Sequence, residues 1–310
     1  MKRRIQLLVD SSRDSDAATA QAINMADRFD SALIATEIRN SRRFESYRKT
    51  EEARQLFQKR LHRISDMAQD HGVEISDMRS KAVIDQPKDI LKISQKIDPN
   101  VVISSAMDGR SGGPGLSDRA AGLFKYSKYN LLLVKDPQHD AHEYKNILVS
   151  ADSPFNISDY TAEFADKYDA KLTAVQVVDL EEGLVKERPV YLSDAARSTL
   201  PGMPRKGLGE TIKTSETLLT KMKESGIRKA QSMADAVADV ARERGIEADT
   251  KVLVGRRDDQ IAQLTKQQQF DLLMIGSNRE NLVKRLMHKT VPETLVRKVD
   301  SSVFAVRKVA

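Results

Sequence analysis

Two aspartates stand at the ends of matching apolar runs. Asp10 closes Ile5-Gln6-Leu7-Leu8-Val9, and Asp152 follows Ile147-Leu148-Val149-Ser150-Ala151. An acid in this place has two uses: it serves a ligand, or it caps the next loop or helix. A glycine-rich run, Gly109-Arg110-Ser111-Gly112-Gly113-Pro114-Gly115, also leaves two readings open. Its backbone could cradle an anion, or its Gly-Pro punctuation makes a plain flexible loop. The closest histidine pair, His139 and His142 beside Asp140 and Glu143, sits in a polar stretch read as linker and not as a metal site. With 5 histidines in no HExxH or HxH spacing and 0 cysteines, the sequence offers little to a transition metal and nothing for thiolate chemistry. There is no GxSxG elbow, no GK[ST] phosphate loop and no histidine at a recognisable spacing from a nucleophile. The chain is therefore read as not an enzyme.

The elements that must carry these residues occur twice. Ile5 to Ser11 is echoed 142 residues later by Ile147 to Ser153, and Ala26-Asp27-Arg28-Phe29-Asp30 is echoed 139 residues later by Ala165-Asp166-Lys167-Tyr168-Asp169. Asp98 to Ser105 pairs with Phe270 to Ser277 at 172, and Leu131 to Val134 pairs with Val303 to Val306 at the same offset. On that reading the last third of each copy aligns without a gap, and the second copy carries an insertion of about thirty residues. Short Val-, Ile- and Leu-rich runs alternate with segments of helical period, the pattern of a parallel sheet covered by helices. Strands are expected near 4–10, 32–38, 79–84, 100–105 and 130–135, and again near 146–151, 171–178, 250–254, 271–276 and 302–307. The fold class is α/β: two tandem doubly wound domains, each with a five-stranded parallel sheet flanked by helices. Ala18, Ala22, Met25 and Ala26 mark one buried helix face, and Leu56, Leu61, Ile64 and Ala68 another. Asp14, Ser15 or Asp16 is expected to cap the first of these helices, and Gly72 and Gly245 to stop helices in a left-handed conformation. The domains are taken as 1–136 and 144–310, joined by a linker at 137–143. Within the second, 179–215 holds Pro189, Pro201 and Pro204 among several glycines, so loops or a short helix near 193–199 are expected there. Such an insertion is either a partner contact or lid, or disordered.

Composition narrows the function classes. The 310 residues are 40% hydrophobic and 31% charged, as in a globular protein, and no run approaches the ~18 apolar residues of a membrane helix. The opening MKRRIQLLVDSS has too few apolar residues for a secretory leader, so a cytoplasmic address is expected. Net charge is +6, but 51 basic and 45 acidic residues are interspersed, and aromatics are only 5%. Without a basic block or stacking surface, nucleic-acid binding is the minor reading.

The order ILVxxD, then ADRFDSALIATEI or ADKYDAKLTAVQV, then FDLLMIGS, then VPETLVRKVDSSVFAVR resembles the universal stress protein family, in its tandem two-domain form. The resemblance covers nearly the whole chain outside 179–215. It implies that the last strands of the two domains meet, so that one chain mimics a dimer. It also implies, for nucleotide-binding members, an acid after the first strand for adenine and ribose, and a G-x2-G-x9-G-[ST] motif after the fourth. Asp10 and Asp152 match the acid. In the second copy Gly276, followed by Ser277, matches the first glycine; Arg279 and Lys289 replace the other two, and Thr290 keeps the hydroxyl. In the first copy the ungapped offset puts Ser104, Met107, Ser117 and Asp118 on the four positions. The expected function is a non-catalytic stress-response or signalling protein with degenerate nucleotide motifs. The alternative is an ATP-binding regulatory module using the second domain. Protein partners or self-association are expected, including a homodimer, and no membrane.

Overall fold

A computed structural model describes residues 2–10, 14–39, 51–75, 79–84, 86–107, 116–135, 143–151, 157–179, 208–277 and 291–307. The first half runs β1 (Arg3–Val9), α1 (Asp14–Arg28), β2 (Ser31–Arg39), α2 (Glu51–Asp70), β3 (Arg79–Ile84), α3 (Pro87–Ile97), β4 (Val101–Ser105), α4 (Asp118–Tyr126) and β5 (Asn130–Val134). The second runs β6 (Asn146–Ser150), α5 (Ser158–Tyr168), β7 (Lys171–Val178), α6 (Leu208–Glu243), β8 (Ala248–Val254), α7 (Arg257–Gln268), β9 (Leu272–Ser277), α8 (Val291–Lys298) and β10 (Ser302–Arg307). Strands begin and end within about two residues of the expected positions. Their inner residues, such as Leu7, Ile103, Leu131, Leu148, Leu273 and Phe304, are fully buried because helices cover both faces.

The strands form one ten-stranded sheet in the order β3-β2-β1-β4-β5-β10-β9-β6-β7-β8. All pairs within each half are parallel, and the two halves join through a single antiparallel pair, β5 with β10. Helices α1, α2, α5 and α6 pack on one face, and α3, α4, α7 and α8 on the other. The implied meeting of last strands is thus present, inside a single sheet.

The junction is reciprocal. Lys135, just past β5, donates Nζ to the carbonyls of Val296 and Val299 at the end of α8, both at 2.5 Å. Arg307, which stands 172 residues later, donates to the carbonyl of Phe124 at the end of α4. Lys135 N–H donates to Ser302 Oγ at 3.1 Å, and Arg307 N–H to Asn130 Oδ1 at 2.8 Å. Each half therefore caps the last helix of the other with a cation, which complements the negative helix end. On the α1 face, Phe29 meets Phe164 with ring centres 5.7 Å apart, and the Arg28 guanidinium lies 4.8 Å over the Tyr168 ring.

Helix ends follow local chemistry. Gly72 and Gly245 take the expected left-handed φ of 67° and 78°. Asp30, Asp98, Asp169 and Gln269 adopt the same conformation without being glycine, closing α1, α3, α5 and α7. Asp14, Ser15 and Asp16 all lie inside α1, so none of them is the cap expected among them, and Ser15 Oγ instead accepts from the N–H of Asp10.

Two readings need correction. First, the fourth strands do not align at 172. Ile5 pairs with Val101 and Ile147 with Leu272, while Val102 pairs with Leu131 and Leu273 with Val303. Val101 to Leu272 is 171 residues and Leu131 to Val303 is 172, so one residue is gained between the fourth strand and the last one. The left-handed Asp98 and Gln269 keep the same 171. Hence Ser105, not Ser104, is the counterpart of Gly276. Second, residues 208–215 are not loop but the start of α6, a helix of 36 residues. Between Pro204 and the end of the helix at Glu243 there is no proline, and Gly209 falls in the first turn, where its cost is small. The helix is about 54 Å long, against about 23 Å for a seven-residue strand. It packs on the sheet through Ala230, Ala234, Val237, Ala238 and Ala241 and passes Val178, at the end of β7, beside Gly226. Residues 180–207 and the run 109–115 lie outside the described residues.

Candidate functional site

In an open sheet of this order the crevice lies where neighbouring strands send their connections to opposite faces, at their carboxyl ends. Here that happens twice, between β1 and β4 and between β6 and β9. Asp10 directly follows β1, and Ser105 ends β4, so the first crevice is framed by an acid and a hydroxyl.

A third residue fills it. The Arg119 guanidinium ion-pairs through Nη2 with Asp10 Oδ2, and the same nitrogen donates to Ser105 Oγ at 2.8 Å. Ser105 Oγ lies 3.0 Å from Asp10 Oδ2 and 3.1 Å from the carbonyl of Met107, the two acceptors for its single proton. Relative exposure is 8% for Asp10, 4% for Arg119 and 0% for Ser105, so the ion pair is screened little by solvent. The backbone of Asp10 is held too. Its N–H donates to Ser15 Oγ at 3.2 Å, and its carbonyl accepts from Arg60 Nη1 at 2.6 Å.

Local sequence explains the arginine's place. Ala106 N–H donates to the carbonyl of Val134, and Ser117 N–H donates to the carbonyl of Ala106, both at 2.9 Å. These bonds pinch the chain between β4 and α4 so that α4 starts beside the end of β4. Ser117 is the N-cap: its hydroxyl accepts from Ala120 N–H at 3.1 Å. Asp118 in the first turn complements the positive helix end. Arg119 follows in that first turn and reaches back over the crevice.

Of the residues chosen from sequence, Asp10 is in the crevice, as one side of an internal ion pair. Ser104 Oγ is buried and donates to the carbonyl of Ser105 at 3.0 Å. Ser117 serves its helix. Arg119 was missed; its signal was an arginine directly after the motif's hydroxyl position, where the second copy has Val291.

In the second half Gly276 lies near the end of β9, paired with Val306, and Ser277 ends the strand opposite Arg307. Ser150, which ends β6, pairs with Ile275, so the end of β6 lies beside this glycine. Asp152, Arg279, Lys289 and Thr290 themselves lie outside the described residues. Among the described residues no group of histidine, aspartate or glutamate is arranged to hold a metal ion.

A tandem doubly wound α/β protein with a crevice at each switch point is the class these observations define. The model of the universal stress protein family matches residues 143–307, more than half of the chain. The chain belongs to that family. Universal stress protein MJ0531 of Methanocaldococcus jannaschii is 24% identical over 168 residues, 53% of this chain and 83% of that protein. The crystal structure of a universal stress protein from Archaeoglobus fulgidus covers 98% of this chain and 96% of its own, at TM-score 0.59 and 12% identity. A putative universal stress protein from Pseudomonas aeruginosa covers 99% and 93%, also at 0.59 and 12%. At these identities the structures show the shared tandem fold. Family membership makes this a stress-response protein.

Proposed function

We propose that this protein is a non-catalytic member of its family, which acts by binding and by presenting its surfaces to partners. The observation that carries this reading is the first crevice. Its acid, its hydroxyl and its cation are bonded to one another and buried, so none stands ready as a base, nucleophile or phosphate contact. The division into domains 1–136 and 144–310 about the linker 137–143 is part of the same reading. So is self-association away from the β5–β10 junction, since that edge is already paired within the chain and the outer edges are β3 and β8. A cytoplasmic address is part of the same reading. Among the described residues no helix is long and apolar enough to cross a membrane.

A second reading, ATP bound in the second half, is favoured by Gly276. The counterpart of Ser105 has no side chain there, so a phosphate oxygen could approach the backbone. Titration of the full chain with ATP and magnesium, alongside a phosphate-release assay, tests both. Release at the buffer rate is expected; turnover well above it would overturn the non-catalytic reading. A saturable site lost in Asp152→Asn would establish the second, and no saturable site at millimolar ATP would dismiss it.

A further inference from the structure

We propose that Arg119 is a built-in occupant of the first crevice, and that the residue at this position decides which half of the chain takes a nucleotide. The second part rests on the reading that the second half is the ATP site.

The equivalence of positions is structural. Asn130 and Ser302, Phe124 and Val296, and Lys135 and Arg307 play the same parts in the reciprocal junction, each pair 172 residues apart. The last helices and last strands of the halves therefore share that offset, and Arg119 corresponds to Val291. At this position the first half has a five-donor cation and the second a valine, which carries no donor.

The guanidinium does chemically what a ligand would do. Asp10 and Ser105 offer a carboxylate and a hydroxyl at the end of adjacent strands, a set that suits the hydroxyl groups of a sugar. Arg119 Nη2 donates to both, covers the bonded pair and neutralises the acid. A ligand must displace a buried, charge-paired side chain fixed to α4 by the Ser117 cap. The first half is therefore closed by its own chain, while Val291 leaves the second without that competitor.

Exchanging the two residues tests this in the full-length protein. Equilibrium dialysis with adenosine and with ATP plus magnesium is run on the wild type, Arg119→Val and Val291→Arg, with folding checked by circular dichroism. Arg119→Val should gain one adenosine site over the wild type, and Asp10→Asn in that background should remove it. Val291→Arg should weaken any wild-type ATP site at least tenfold. A folded Arg119→Val with no added site, or a Val291→Arg that binds like a saturable wild type, overturns the proposal. If the wild type binds no nucleotide, the ATP reading fails by itself, and the gain of adenosine in Arg119→Val still decides whether the arginine was the occupant. Should Arg119→Val not fold, Arg119→Gln is read instead. The glutamine is shorter and uncharged, so a gained adenosine site supports the occupant role and none overturns it.

Discussion

A carboxylate and a guanidinium this deeply buried lose most of their hydration, and their mutual attraction must offset that loss. Removing one partner leaves a charge with neither water nor counterion, at a cost of about 3–5 kcal/mol. Arg119→Met and Asp10→Leu should each destabilise by roughly that amount. The double variant should recover most of it, because two apolar side chains of similar size need no pairing. Urea unfolding of the four proteins measures the coupling, and additive losses would show that the pair is not a unit. Lys135 gives a second test at this scale, through pH. Burial pushes its ammonium down to about 8, helped by Arg297 and opposed by Asp300. The unfolded chain keeps the ordinary value of 10.5, so between about 8 and 10.5 it binds more protons than the folded one. Stability contributed by this residue must then rise with pH across that window, by up to about 3 kcal/mol. Relative to Lys135→Met, the wild type should gain stability between pH 7.5 and 10 in urea titrations. A difference that does not change with pH would contradict the shift.

Elements obey a tighter geometry than their composition reveals. In α4, a Cβ on Gly122 would sit 2.2 Å from Cγ and 2.7 Å from Cβ of Pro87, the first residue of α3. Alanine is the better helix former by up to about 1 kcal/mol, yet the proline ring is rigid and cannot turn aside. Gly122→Ala should therefore destabilise by about 1–3 kcal/mol, and Pro87→Ala should relieve it. Melting temperatures of the single and double variants check this; a stabilised Gly122→Ala would mean that the two helices slide apart freely. Nothing in the sequence marks Gly122, since its neighbour is 35 residues away. The same limit governs what else could be read in advance. Strands were legible because burial on both faces demands unbroken apolar runs, and the helix stops at Gly72 and Gly245 because glycine alone enters φ > 0 without strain. The left-handed Asp30, Asp98, Asp169 and Gln269 were not, because a polar residue can take that conformation without advertising it. The one-residue step between the fourth and last strands was hidden because apolar residues at 171 and at 172 match almost equally well. Asp10 was legible as an acid at a strand end, but its partner lies 109 residues on and could be found only through space.

For the whole molecule the question is whether two domains behave as one. Chains of this length usually unfold domain by domain, unless the interface is worth as much as the domains themselves. Here the interface includes a strand pair in the middle of the sheet, Val303, Phe304 and Ala305 against Leu133, Leu132 and Leu131. It also includes the two reciprocal helix caps, the Arg3–Glu163 ion pair at 2.7 Å, and an aromatic group that links Phe29 of the first half to Phe164 and Tyr168 of the second. Opening the halves would expose the edges of β5 and β10 together with Phe304 and Leu132, which are fully buried. Each half then loses backbone pairing and core at once, so a partly open state gains little chain entropy for what it gives up. The wild type should show a single calorimetric transition. Lys135→Met with Arg307→Met removes both cations of the reciprocal helix caps while leaving strand pairing in place. It should lower the coupling enough to broaden the transition or split it in two, and either single variant should do so less. Two resolved transitions in the wild type would show instead that the continuous sheet joins the halves without coupling their stabilities.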